Sequence, residues 1–198
     1  MKRKFLALVF LLIAAALPLS ASQFIDIPFD EAARGASLIV RGNVVDSWSA
    51  WDDAREVIFT YSTVRVTRYF GETTGPDTVT VREVGGTVDG YTQEAVGFPE
   101  LRRGEHVVLL LAQTEDGASY RIHAYNQGKF LVRQRGRMDV LISDPVQQGD
   151  ARPEPAPRFN MKADAIADDV PALGIDEFAQ MVEDARAGGR TVIRNQQH

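Results

Sequence analysis

The chain has 198 residues, 22 Lys and Arg against 27 Asp and Glu, a formal net charge of −5, and no cysteine. An acidic balance of this kind disfavours non-specific binding to nucleic acid or to anionic membrane. The missing thiols exclude disulfides, thiol catalysis and cysteine metal sites.

The first segment, "MKRKFLALVFLLIAAALPLSAS", places Lys2, Arg3 and Lys4 before an apolar run from Phe5 to Leu17. Pro18 breaks the run, and Ser20 and Ser22 stand where a signal peptidase reads small residues. This is the pattern of a secretory signal peptide, with cleavage expected after Ser22, Ala21 being the alternative. The alternative, a membrane anchor, needs about 20 apolar residues, and this run is shorter. Removing residues 1–22 takes away three basic residues and no acid, so 19 basic residues face 27 acidic ones, a net charge of −8. The expected location is the periplasm or the medium, with no stable membrane anchor left after cleavage.

Asp30 is placed to cap a single helical turn from Glu31 to Arg34, with Gly35 ending it. "SLIVRGNVVDSW", Ser37 to Trp48, is rich in apolar and β-branched residues, with Gly42 set inside it. In "EVIFTYSTVRVTRYF", Glu56 to Phe70, alternation puts Ile58, Thr60, Ser62, Val64 and Val66 on one face and Val57, Phe59, Tyr61, Thr63 and Arg65 on the other. "SAWDDAR" between them reads as a tight acidic turn, so the two strands form a long hairpin. After the turn at Gly75-Pro76-Asp77, Thr78 to Val84 is a third strand.

"EVGGTVDGYTQ", Glu83 to Gln93, follows as a glycine-rich loop, and "AVGFPELRRGE" continues it as irregular chain. "HVVLLLAQ", His106 to Gln113, is a continuous apolar run suited to a central strand. Glu115 to Gly117 makes a hairpin turn. "SYRIHAYN", "KFLVRQ" and "RMDVLIS" read as three short strands. Four prolines, Pro145, Pro153, Pro155 and Pro157, then mark an irregular arm. The last element is a helix in which Leu173 staples onto Phe178 around a Gly174 cap, with Glu177 at the third helical position. Ile175, Phe178, Met181, Val182 and Ala185 share one face, which is expected to close the core.

Seven strands at hairpin spacing with one or two helices point to a mainly β chain, an antiparallel barrel or sandwich. Gly42 inside a good strand marks a bend or bulge, and a long bent first strand shared by both sides of a small barrel is what an OB-like fold requires. The expected organisation is a signal peptide at 1–22, a small antiparallel OB-like barrel at 23–143 opened by the short helical turn, a Pro-rich irregular arm at 144–172, and a C-terminal helix and tail at 173–198 that packs on the barrel. "LIVRGNVV", "TYSTVRVTRYFGE", "VTVREVGGTVDG", "GFPELRRGEHVVLLL" and "YNQGKFLV", in this order, resemble a family of exported bacterial proteins of unassigned function. That family's barrel is OB-like and similar to the netrin-like domain of tissue inhibitors of metalloproteinases. The resemblance spans roughly Ala32 to Val132 and the terminal helix, and it implies a secreted barrel with a binding role, an extracellular protease being the partner it points to. Those inhibitors approach the protease zinc with an N-terminal cysteine, which this chain lacks.

No stretch carries a recognised catalytic signature, and no cofactor is expected. Gly85-Gly86-Thr87-Val88-Asp89-Gly90 has neither dinucleotide nor P-loop spacing, and Glu83, Asp89 and Glu94 are too few for a calcium loop. It reads as backbone geometry: Gly85-Gly86 ends or kinks the third strand and Asp89-Gly90 turns tightly. His106 and His123 fall within expected strands. They fit half-buried structural histidines better than a zinc site, which needs three or four ligands; a metal-dependent hydrolase built on them is the alternative. Ser119 and His123, four apart on one expected strand, share a face without touching. Asp52-Asp53 and Asp168-Asp169 read as solvated surface charge.

Aromatic residues carry the binding reading. Trp48 and Trp51 flank the first hairpin turn, with Tyr91 and Phe98 in the loops beyond. Exposed aromatics anchor a protein or sugar partner, or else cover one barrel mouth. Arg102 and Arg103 on "ELRRGE" suit an acidic partner, or a solvated turn.

Overall fold

The computed structural model describes residues 27–71, 74–143 and 171–188. The expected signal peptide, nearly all of the Pro-rich arm, Asp168-Asp169 and the tail beyond Gly188 lie outside the described residues.

A short helix α1 (Phe29–Gly35) leads into β1 (Leu38–Trp51), β2 (Ile58–Tyr69) and β3 (Thr78–Val84). A small hairpin follows, β4 (Gly86–Val88) and β5 (Tyr91–Gln93). Then come β6 (His106–Gln113), β7 (Tyr120–Ile122), a 3-10 turn (Tyr125–Gly128), β8 (Lys129–Arg135), β9 (Met138–Ser143), β10 (Leu173–Gly174) and helix α2 (Ile175–Arg186). β1 pairs with β2 on one edge and β6 on the other, β3 pairs with β2, and β7 joins β3 to β6. The five strands β1-β2-β3-β7-β6 therefore close into a ring. All pairings are antiparallel except β3–β7, which is parallel. This is a small OB-like barrel, as expected.

β1 serves both sides of the barrel, and its ladder with β2 is bulged twice. Its register against β2 slips at Arg41/Gly42 and again at Val44/Asp46. A bulge adds local twist and turns the strand. Gly42 is needed at the first slip: a Cβ there would lie 2.6 Å from the Arg65 carbonyl oxygen and from Val64 Cγ1.

Two apolar cores result, one on each side of the same wall. Inside the barrel, Val40, Val44, Val64, Val79, Val81, Val107, Leu109 and Leu111 pack together. Outside it, Ile39, Phe70, Val108 and Leu110 meet the helices through Ala32, Ala33, Phe178, Val182 and Ala185. The unbroken apolar run of β6 now has its cause: odd residues fill the barrel and even ones face the helices. Phe178 is the hub of the outer core, with the rings of Phe29, Phe70 and Phe130 all edge-on to it at 5.1–5.5 Å. Gly174 precedes α2, and Leu173 packs against the outer core to which Phe178 belongs.

Four local expectations are corrected. Asp30 does not cap α1. The helix starts one residue before it, after Pro28, whose fixed φ suits a helix start. Asp30 instead accepts a 2.8 Å hydrogen bond from Arg34 one turn on, which holds its carboxyl below the usual range. Trp51 belongs to β1, not to the turn. The turn is Asp52 to Val57, and Asp52 organises it by accepting the N–H groups of Glu56 and Val57 at 2.7 and 3.1 Å. "SYRIHAYN" is not one strand: β7 stops at Ile122, and Ala124 and Tyr125 take left-handed conformations. Chain 123–128 bulges away before β8 rejoins the same edge of β6. Ser119 and His123 therefore share no strand. The glycine-rich loop is itself a hairpin, β4–β5.

Candidate functional site

The glycine-rich segment behaves as expected at both ends. Gly85 and Gly86 have φ of 107° and 133°, and Asp89 and Gly90 turn at 51° and 83°. The bend folds β4–β5 down onto the hairpin of β1 and β2. Ser49 and Thr60 hydrogen-bond at 3.0 Å, and Thr60 donates to the Gly85 carbonyl at 2.7 Å. Any Cβ on Gly86 would meet both hydroxyl oxygens within 2.5 Å. Gln93 completes the attachment by accepting the Ile58 N–H at 2.8 Å. The segment is a flap held by its glycines.

The far chain of the loop, 94–105, closes the same end of the barrel. Leu101 enters the barrel core. Lys129, fully buried, donates to Glu105 Oε2 at 3.0 Å and to the Glu100 carbonyl. A buried cation of this kind is tolerated because both of its partners are fixed.

The expected contact residues separate into three aromatic pairs. Trp48 stands on the outer face of β1, 45% exposed, and stacks on Tyr61 with ring centroids 5.6 Å apart and planes 13° apart. Tyr61 lies opposite Trp48 in β2 and opposite Arg82 in β3. The Arg82 guanidinium covers the Phe59 ring at 4.9 Å and pairs with Asp116 at 3.1 Å. Trp51, three residues on, falls on the other face of β1, where it meets Tyr91 of the flap edge-on at 6.0 Å. Tyr91 is exposed. Phe98 meets Tyr125 at 5.2 Å in the loop before β6. Trp48 and Trp51 thus form no shared platform. Arg102 is tied within its own loop, to Glu100 at 3.1 Å, and Arg103 is exposed in the turn.

The histidines are well separated. His106 begins β6, while the N–H of His123 bonds to the carbonyl of Leu110, four residues or roughly 13 Å along that strand. The His123 ring lies against Gly35 of α1. Burial, with the Arg121 charge nearby, pulls its imidazole below the ordinary value. Among the described residues no three His, Asp or Glu side chains come together as a metal site.

Sequence reasoning missed one titrating group. Glu83 shares the inward face of β3 with Val79 and Val81, and its Oε1 accepts the Ile122 N–H. Burial pushes its carboxyl up to about 7, against smaller opposing effects from the Ile122 hydrogen bond and Arg121. The β3–β7 ladder consists of one pair, Val81 with Tyr120, so this carboxyl extends the closure of the ring by one further bond. An acid two places beyond two inward valines was the available signal. Tyr61 and Arg82 were also legible as outward residues by alternation, though not as neighbours.

Comparison with protein-family models, curated proteins and solved structures finds no match to this chain.

Proposed function

We propose that the chain is an exported, non-enzymatic binding module that holds an extracellular protein on the outer face of its β1–β2–β3 sheet. The observation that carries this reading is the Trp48–Tyr61 stack, a rigid aromatic pair set in a regular sheet and open to solvent. Aromatic side chains with few rotamers lose little entropy on contact, and they dominate interface energetics. Arg82, fixed over Phe59 and by Asp116, supplies an oriented cation beside the stack. The paired strands fix these groups in place, which favours a preformed contact surface. An extracellular protease is the partner implied by the resemblance to exported netrin-like barrels, and export rests on the pattern of residues 1–22.

The test is capture from periplasm and culture medium on immobilised protein, followed by Trp48→Ala and Phe98→Ala variants. The expected result is a captured protein whose binding weakens at least about 30-fold with Trp48→Ala, the scale of a hot-spot residue, and little with Phe98→Ala. Unchanged affinity in Trp48→Ala would remove the outer face from the interface. Fractionation of the producing cell checks the export reading, which fails if the protein stays in the cytoplasm with residues 1–22 attached.

A further inference from the structure

The outer face of β1 carries a second feature, separate from the Trp48 stack. Beside the first bulge lies a shallow depression of about 350 Å³ lined by Arg41, Asn43, Thr67, Arg68 and His106. The strand register explains how residues so distant in sequence meet. Arg65, Asn43 and His106 form one row across β2, β1 and β6, and Arg68 and Arg41 form the next. Thr67 is the extra residue of the bulge between the rows.

This arrangement is costly without a ligand. Like charges directly opposite on neighbouring strands destabilise a sheet, and here Arg68 faces Arg41 while Arg65 stands one row away. Only Arg41 is firmly neutralised, by Asp139 at 2.7 Å. Arg68 is held by the Phe70 ring at 4.8 Å, and its nearest carboxylate, the almost fully exposed Asp176, is 3.8 Å away. Asn43 is half-buried, and neither its amide, the His106 ring nor the Arg65 guanidinium has a side-chain hydrogen bond among the described residues. Three guanidinium groups face two carboxylates on a chain whose formal net charge is −5.

We infer that this depression is a binding site for a tetrahedral oxyanion, phosphate or sulfate, either free or carried on a sugar. Arg68 presents forked donors from β2, Asn43 an amide from β1, and His106 an imidazole from β6, while Arg65, opposite Asn43 in the register, adds positive charge at the margin. Donors arriving from three strands match an acceptor whose oxygens point in several directions, and guanidinium forks suit oxyanions. Arg41, held by Asp139, lines the floor, and Arg68 carries the positive charge. The exposed Asp176 is the group the anion displaces.

The experiment is a titration of the purified chain with sodium phosphate and sodium sulfate at constant ionic strength, with sodium chloride as the reference. Backbone and side-chain amide signals of Asn43, Thr67 and His106 are followed by NMR. The expected result is saturable shifts with a dissociation constant on the order of 1 mM, weakening of about tenfold in Arg68→Gln, as for loss of one charge-assisted contact, and a smaller weakening in Arg65→Gln. Both side chains are exposed, so these variants should keep the fold, which circular dichroism checks. Glucose 6-phosphate binding more tightly than phosphate assigns the site to a sugar-borne group, and equal binding assigns it to the free anion. Linear shifts that match the chloride reference, or saturation unchanged in both variants, would overturn the inference. Trp48→Ala, which tests the protein interface, should leave this titration unaltered.

Discussion

One strand face changes character along its length. At the start of β1, the outward residue Ile39 is fully buried beneath the two helices. Farther along, the outward residues are Arg41, Asn43 and Trp48, and the helices no longer cover them. Pairing with β2 runs through both halves. The outer faces differ in what lies on top. The covered half makes an apolar core with α1 and α2, while the open half presents rings and cations held by the same backbone. A barrel wall is stable from its inner side alone over part of its length, and this leaves the remaining outer surface available for contacts.

Four measurements would break or sharpen that contrast. The largest effect belongs to the covered half. Phe178→Ala removes the ring against which three others pack and should cost about 3–5 kcal/mol in denaturant unfolding; a loss below about 1 kcal/mol would mean the helical layer is not integral to the fold. Second is the inner face, through Glu83. The folded chain keeps this proton up to about pH 7, whereas the unfolded chain releases it near 4.5, the ordinary value for a glutamate. The folded state therefore binds more protons between those limits, and stability falls as pH rises through the window, by roughly 3 kcal/mol in all, then levels above it. Glu83→Gln keeps an acceptor for the Ile122 N–H and should flatten the slope; an unchanged slope would assign it to other groups.

The third measurement concerns the bend that separates the halves. Gly42→Ala forces a methyl against the Arg65 carbonyl and should destabilise by about 1–3 kcal/mol, with a register change visible in the NMR signals of Arg65 and Val66. An unaffected midpoint would show that the bulge yields easily. The smallest effect on stability falls on the open half. Trp48→Ala removes one exposed cross-strand pair and should cost no more than about 1 kcal/mol, so any large loss of partner binding in that variant would report contact and not unfolding. If Trp48→Ala proves as destabilising as Phe178→Ala, the distinction between covered and open halves fails.

Much of the architecture could be read before any coordinates. The period-two pattern of Ile58 to Val66 survives unchanged in β2, and Gly42 marked the bulge because a glycine within a β-branched run has few other uses. The apolar face of the final helix also packs as its spacing required. His123 was misplaced for a physical reason. A strand that leaves its neighbour and rejoins it six residues later looks continuous in residue type, since β formers occupy both sides of the gap. Asp89-Gly90 between Thr87-Val88 and Tyr91-Thr92 is a strong hairpin signal, and it predicts the turn, while the three-residue strands on either side are too short to show alternation. The site was less legible than the fold. Alternation assigns Tyr61 to the outer face, yet its position opposite Trp48 depends on the slip at Val44/Asp46, which no residue type announces. Arg41, Arg65, Arg68 and His106 come together only through the pairing of three strands.

The closure of the barrel by one residue pair has a consequence for motion. β1 is bonded along both edges, and the β1–β2–β3 meander is paired almost throughout. The junction of β3 with β7 is different: a single clasp, Val81 with Tyr120, backed by the Glu83 carboxyl. A ring with one narrow clasp can open there while the rest keeps its shape, as a local event well below global unfolding. The amide of Ile122 should exchange with solvent sooner than those of Leu109 or Val40, and sooner still once Glu83 loses its proton. The barrel then breathes on one side only, and the Trp48 face, carried on the rigid meander, stays in place while it does.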